Sequence, residues 1–165
     1  MEKIFWILTE RYHYTAQTSL GRMSFLYDST FVTNPPQPIK QYFGNTLEDT
    51  CRPGNIKVYG ETAIPGGFEC NVYLHDSPKF GKTIIFATEP DKVTLKAGIL
   101  TWVGCLAHGG QSHKDTNGCV IVAKNIIDMD TIQGSLKDEL RKIVEQKIAE
   151  GYTIKAKFVN LPQLS

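Results

Sequence analysis

Apolar and polar positions alternate over short stretches through most of this chain, and a helical period occurs once. Residues 3–9, with Phe5, Trp6 and branched neighbours, predict a strand. Residues 10–19, including Tyr12, His13 and Tyr14, are polar and aromatic and predict a loop. Residues 24–27 predict a short strand ending at Asp28. Asn34-Pro35-Pro36-Gln37-Pro38 is the strongest breaker and predicts loop or extended chain. Residues 42–49 predict another strand, followed by a turn at Arg52-Pro53-Gly54-Asn55. Pro65-Gly66-Gly67 predicts a tight turn. Phe68, Cys70, Val72 and Leu74 then fall on or near a period of two, which predicts a half-buried strand closed by Ser77-Pro78. The apolar runs at 83–87, 97–107 and 120–123 are β-rich in composition. The helical period follows Ser135, a candidate cap with Asp138 three residues on. Leu136, Leu140, Ile143, Val144 and Ile148 share one face, and Gly151 is a C-terminal stop. Residues 152–161 alternate again as a last strand. The expectation is a single domain over 1–165, mainly β, with one helix at about 135–150 near the C-terminus. No repeat or internal boundary breaks it.

Composition narrows the function classes. Apolar residues are 41% of 165, enough to bury a core, which excludes general disorder. Eighteen basic and seventeen acidic residues leave a net charge of +1. No global field draws the chain to nucleic acid or to anionic lipid. No apolar run approaches the roughly 20 residues of a membrane span. The apolar start ends at Thr9-Glu10-Arg11, too soon for a secretory signal, so synthesis and folding in the cytoplasm are expected. Four cysteines, Cys51, Cys70, Cys105 and Cys119, are then expected as thiols, one of which can be reactive among inert ones.

The chemistry concentrates between residues 105 and 119. Leu106-Ala107-His108-Gly109-Gly110 ends an apolar run, and Thr116-Asn117-Gly118-Cys119 opens the next one. A thiol attacks a carbonyl as the thiolate, and an adjacent imidazole is the usual means of forming it. Two strand ends joined by a short loop can bring His108 and Cys119 together. The N–H groups of Gly118 and Cys119 could then hold an oxyanion. An ordinary strand-end histidine and a small buried cysteine explain the same residues. Cys105, His108, His113 and Cys119 are all possible zinc ligands. Cys105 and His108, three apart in an extended run, should nonetheless face opposite sides, and no Cys-x-x-Cys pair occurs. Neither a metal nor a cofactor is assigned. Phe80-Gly81-Lys82-Thr83 is not a phosphate loop, because Asp76 stands where its first glycine belongs and a strand pattern follows.

His108-Gly109-Gly110 followed by Thr116-Asn117-Gly118-Cys119-Val120 resembles the signature of L,D-transpeptidase catalytic domains. Thr62-Ala63-Ile64-Pro65-Gly66-Gly67-Phe68 resembles the turn before a core strand in the same family. A closer resemblance is to a compact, poorly characterised family of phages and bacteria sharing that core. Its elements stand here as Thr46-Leu47-Glu48-Asp49, Ser77-Pro78-Lys79-Phe80 and Asp115-Thr116-Asn117-Gly118-Cys119. The resemblance covers about residues 40–125.

It implies a β-sandwich or barrel in which His108 and Cys119 flank one groove. It also implies acyl transfer through a Cys119 thioester on peptidoglycan stem peptides, with Gly118 at the oxyanion. Gly109, Gly110, Thr116, Asn117, Asp115, Glu48 and Asp49 are the candidate substrate-binding positions. Asp115 could orient His108 or bond Asn117 N–H within its loop. Glu48 and Asp49 could meet substrate amines or hold a strand end. Cys51, Cys70 and Cys105 read as spectators. Two features depart from the transpeptidases: Ile121 stands where they carry an arginine, and the first residues are not expected to act as an export signal. Release at phage lysis, or injection into a neighbour's envelope, would bring the protein to its substrate. The alternatives are a phage binding protein that sequesters a small host molecule such as a signalling nucleotide, and a structural part of a virion or secretion apparatus.

Overall fold

A computed structural model describes residues 2–28, 38–52, 62–115 and 119–162, without the side chains of residues 28, 38 and 113. The strands are β1 (Lys3–Tyr14), β2 (Thr18–Asp28), β3 (Pro38–Asp49), β4 (Phe68–Ser77), β5 (Gly81–Ala87), β6 (Thr94–Ala97), β7 (Leu100–Val103), β8 (Cys105–His108), β9 (Val120–Asp128), β10 (Thr131–Ser135) and β11 (Tyr152–Asn160). Helix α1 spans Lys137–Ala149 between the last two strands. The sheet runs β9-β3-β2-β1-β11-β4-β5-β8, and β8 pairs back with β9. Eight strands therefore close into a barrel, and β10 extends the sheet beside β9. Two of the pairings are parallel, β1 with β11 and β8 with β9.

Alternation decides which side chains fill the barrel. Phe5 and Ile7 of β1, Met23 and Phe25 of β2, Cys70 and Val72 of β4, and Val120 and Val122 of β9 are buried in one cluster with Ile154 and Phe158 of β11. Leu140 and Val144 of α1 join this cluster, so the predicted apolar helix face is the one that packs. Ile148, on the same face, is 40% exposed at the end of the helix. Ser135 lies one residue before the N-cap, Leu136, yet its hydroxyl still accepts the amide of Lys137 at 3.3 Å. Gly151 ends the helix at φ 92°, its amide bonded to the carbonyl of Ile148.

Several boundaries differ from the sequence pattern. Residues 10–14 are strand rather than loop, and β1 reaches Tyr14 through a bulge between Arg11 and His13. Their inward side chain is Arg11, so the stretch is polar on both faces and the alternation of hydrophobicity that marks a strand is absent. β2 begins at Thr18 instead of residue 24, because its first two buried apolar residues, Leu20 and Met23, fall on opposite faces and show no period of two. The apolar run 97–107 breaks into three pieces, because Gly98 and Gly104 adopt positive φ. Strand β10 carries one buried apolar residue, Ile132, too little to show a period. The Pro65-Gly66-Gly67 turn forms as expected, with Gly67 N–H bonded to Phe158 O at 2.7 Å. The proline-rich breaker before Pro38 and the turn at Pro53 to Asn55 lie outside the described residues. Among the described residues, no helix is long and apolar enough to cross a membrane.

Candidate active site

Strand β8 ends on His108 and β9 starts at Val120. Their parallel register pairs Ala107 with Val120 and His108 with Ile121. Cys119, one residue before β9, thus arrives beside Leu106. Its Sγ accepts the Leu106 amide at 3.3 Å and donates to the Gly104 carbonyl at 3.6 Å. Two residues eleven apart in sequence are brought together by adjacent strand ends.

His108 is 1% exposed. Its ring stacks on Phe80, with centroids 4.0 Å apart and planes 8° from parallel. Nδ1 lies 2.6 Å from the Gly109 carbonyl, which can only accept. Nδ1 therefore carries hydrogen in the neutral ring, and the lone pair is on Nε2. The Ser77-Pro78-Lys79-Phe80 element explains the stacking. Ser77 Oγ accepts the amides of Lys79 at 3.2 Å and Phe80 at 3.1 Å, folding a turn that aims Phe80 at the imidazole. Lys137 Nζ, from the first residue of α1, holds the Phe80 carbonyl at 2.5 Å.

The Cys119 thiol is held well below its usual range. A hydrogen bond from Cys105 is the main cause, burial opposes it, and hydrogen bonding and charge from His108 add to the lowering. Cys105, 2% exposed, is pushed up by the same hydrogen bond and by burial. The direction follows from position: Cys119 has an amide donor and an imidazole beside it, while Cys105 is enclosed in the barrel core. Cys105 and His108 do face opposite sides of β8, as their spacing predicts. Among the described residues, no group of three His, Cys, Asp or Glu side chains is placed to hold a metal ion.

The loop after His108 depends on two glycines. A Cβ on Gly109 would stand 2.9 Å from Ser135 Oγ. One on Gly110 would stand 2.8 Å from Asp115 Cβ and 2.9 Å from Ile121 Cδ1. Asp115 closes the loop, its Oδ2 accepting the amides of Gln111 at 3.0 Å and Ser112 at 3.3 Å. Those bonds are the main reason its carboxyl lies below the usual range, with His108 a smaller contributor. Its contacts within the loop go to Gln111 and Ser112; Asn117, the loop partner expected from the sequence, lies outside the described residues. Gly110→Ala is expected to cost about 1–3 kcal/mol by forcing Asp115 and Ile121 apart. Thermal unfolding checks the cost. Slower alkylation of Cys119 in the same variant checks that the loop positions the site.

Thr116, Asn117 and Gly118 lie outside the described residues. Glu48 and Asp49 are 1% and 3% exposed. Glu48 lies inside the barrel, with Oε1 2.7 Å from Arg11 Nη2 and Oε2 2.8 Å from Arg11 Nε. Both carboxylate oxygens are engaged, which fits the strand-holding role of Glu48. Arg11 is fully buried and also bonds Asn160 Oδ1 at 3.1 Å. Burial works against its charge, but the charge and hydrogen bonds of Glu48 outweigh it and raise the guanidinium further. Sequence reasoning missed Arg11 altogether. The available signal was an arginine between Glu10 and Tyr12, directly after the apolar start of the chain.

Ile121 packs with Leu20, Leu47, Ala123 and Ile132 in a fully buried cluster. An arginine there would be an unpaired buried charge. In this chain position 121 supports the Gly110 turn from behind instead of reaching a ligand. No protein-family model, curated protein or solved structure matches the chain.

Proposed function

We propose that this protein is a cysteine-dependent acyl-transfer enzyme acting on peptidoglycan stem peptides, built on an L,D-transpeptidase-like form of the barrel. The observation that carries the reading is the Cys119 thiol, lowered beside an imidazole whose tautomer is set by Gly109. The Cys119 thiolate attacks a peptide carbonyl carbon, and the proton it has shed resides on His108. The N–H groups of Gly118 and Cys119 hold the developing oxyanion. Collapse of the tetrahedral adduct breaks the C–N bond, and His108 gives its proton to the leaving amine. The thioester then passes its acyl group to water, which is hydrolysis, or to a second amine, which is cross-linking. His108 accepts the proton of that second nucleophile.

Mass spectrometry of purified muropeptides incubated with wild type and with Cys119→Ala tests this. A product made by wild type alone supports the assignment, and its mass separates hydrolysis from cross-linking. Unchanged muropeptides, with folded protein by circular dichroism, overturn it. Ligand capture on the same scaffold is the reading that result would favour.

A further inference from the structure

Cys105 forms no bond to substrate in the acyl-transfer reading, and its sequence context marks it only as a core residue. Its surroundings assign it more. The Leu106 amide and the Gly104 carbonyl, which Cys119 Sγ engages at 3.3 Å and 3.6 Å, are the two peptide groups flanking Cys105. In an extended strand those two groups point to the same side. Strand β9 begins only at Val120, so the sulfur of Cys119 fills the ladder position beside Cys105 that a strand would otherwise occupy. It packs with Ile85 and Leu106 on the outer face of the sheet. The Cys105 thiol reaches it from the barrel side and hydrogen-bonds to it. The register that pairs Ala107 with Val120 puts Leu106 opposite Cys119 and makes Cys105 its diagonal neighbour. With strands about 4.8 Å apart and residues rising about 3.3 Å, a diagonal pair is about 5.8 Å apart at Cα. Disulfides span Cα separations of about 4.4–6.8 Å.

We propose that Cys119 and Cys105 form a peroxide-sensitive dithiol pair, in which a hydroperoxide oxidises Cys119 and Cys105 resolves the product as a disulfide. The sulfur of the Cys119 thiolate takes one oxygen from the hydroperoxide. The O–O bond breaks, the peroxide is reduced by two electrons, and water or an alcohol leaves after taking a proton. Cys119 is then a sulfenic acid. The sulfur of Cys105 displaces its hydroxyl: the S–O bond breaks, the S–S bond forms, and the hydroxyl leaves as water with the Cys105 proton. A dithiol reductant restores both thiols. The pair would switch the nucleophile off reversibly and spare it from irreversible oxidation. This inference rests on the reactive Cys119 of the acyl-transfer reading, but not on its substrate.

The test treats the reduced wild-type protein with hydrogen peroxide, then maps it by intact-mass and peptide mass spectrometry. The expected result is loss of two hydrogens and one cross-link joining the Cys105 and Cys119 peptides. Iodoacetamide labelling of Cys119 should fall at least about tenfold and return with dithiothreitol. In Cys105→Ser, Cys119 should proceed to the sulfinic acid, which dithiothreitol does not reverse. The wild-type map decides the matter even if that variant folds poorly. A Cys119 that alkylates readily but is trapped by dimedone as sulfenic acid, with Cys105 still free, overturns the pair and leaves the acyl-transfer reading standing. A cross-link to Cys70 or Cys51 instead does the same. A Cys119 inert to both peroxide and iodoacetamide overturns both.

Discussion

Cys119→Ala is expected to lower turnover of a muropeptide substrate by at least about 10⁴-fold, the scale on which removal of a covalent nucleophile acts. The pH dependence of alkylation carries the sharper information. A thiol forms its reactive thiolate above its pKa, and that of Cys119 is lowered from 9.0 to about 5. Iodoacetamide labelling of Cys119 should therefore be nearly flat from about pH 6 to about pH 9 and should fall away only below about pH 5. His108→Ala removes one of the interactions that favour the thiolate. Its labelling should climb with pH through the neutral range instead. Cys105→Ser tests the larger cause in the same way. It replaces a thiol donor with a hydroxyl donor, so the profile should stay low, while Cys105→Ala should shift it upward. Labelling that rises steadily from about pH 7 to about pH 9 in wild type would mean an ordinary buried thiol and a structural site.

Glu48→Ala is expected to destabilise the protein by about 3–5 kcal/mol, measured as a drop in the urea midpoint without a change in slope. The reason is the charge left behind. Arg11 is 0% exposed, and both oxygens of Glu48 meet it within 2.8 Å. Removing the carboxylate strands a guanidinium inside a closed barrel, with Asn160 and the Phe158 ring among its remaining neighbours. Replacing both partners with apolar residues of similar size, Arg11→Met with Glu48→Leu, should recover most of that loss, because no unpaired charge remains. A single variant that loses less than about 1 kcal/mol would show that water reaches the pair. Activity per folded molecule is expected to stay unchanged in the double variant, since Glu48 is committed to Arg11.

The helix was legible because apolar residues at helical spacing mark a face to be buried, and Leu140 and Val144 of that face are buried. The Pro65-Gly66-Gly67 turn was legible because its backbone requirements are local: Gly67 adopts φ 72°, a conformation that favours glycine. His108, Gly109, Gly110 and Cys119 were legible as a group through glycine spacing. The structure supplies the reason for the glycines, which is close backbone approach to Ser135, Asp115 and Ile121. Phe80 was quoted as part of an element, but its stacking on His108 needed the turn that Ser77 folds and the pairing of β5 with β8.

What the chain determined by itself is the class of its elements and the candidate grouping of His108 with Cys119. Alternation and helical period depend on neighbours a few positions apart, and those are written in order along the chain. The closure of the barrel is not local. The parallel pairing of β1 with β11 joins residues about 150 apart, and no pattern within either strand names the other. Inside the barrel, where β1 and β3 flank β2, an isolated arginine became half of a buried ion pair. The parallel pairing of β8 with β9 set Cys105 beside Cys119. A single side chain's environment depends on which strands meet across the sheet, and only the folded chain decides that.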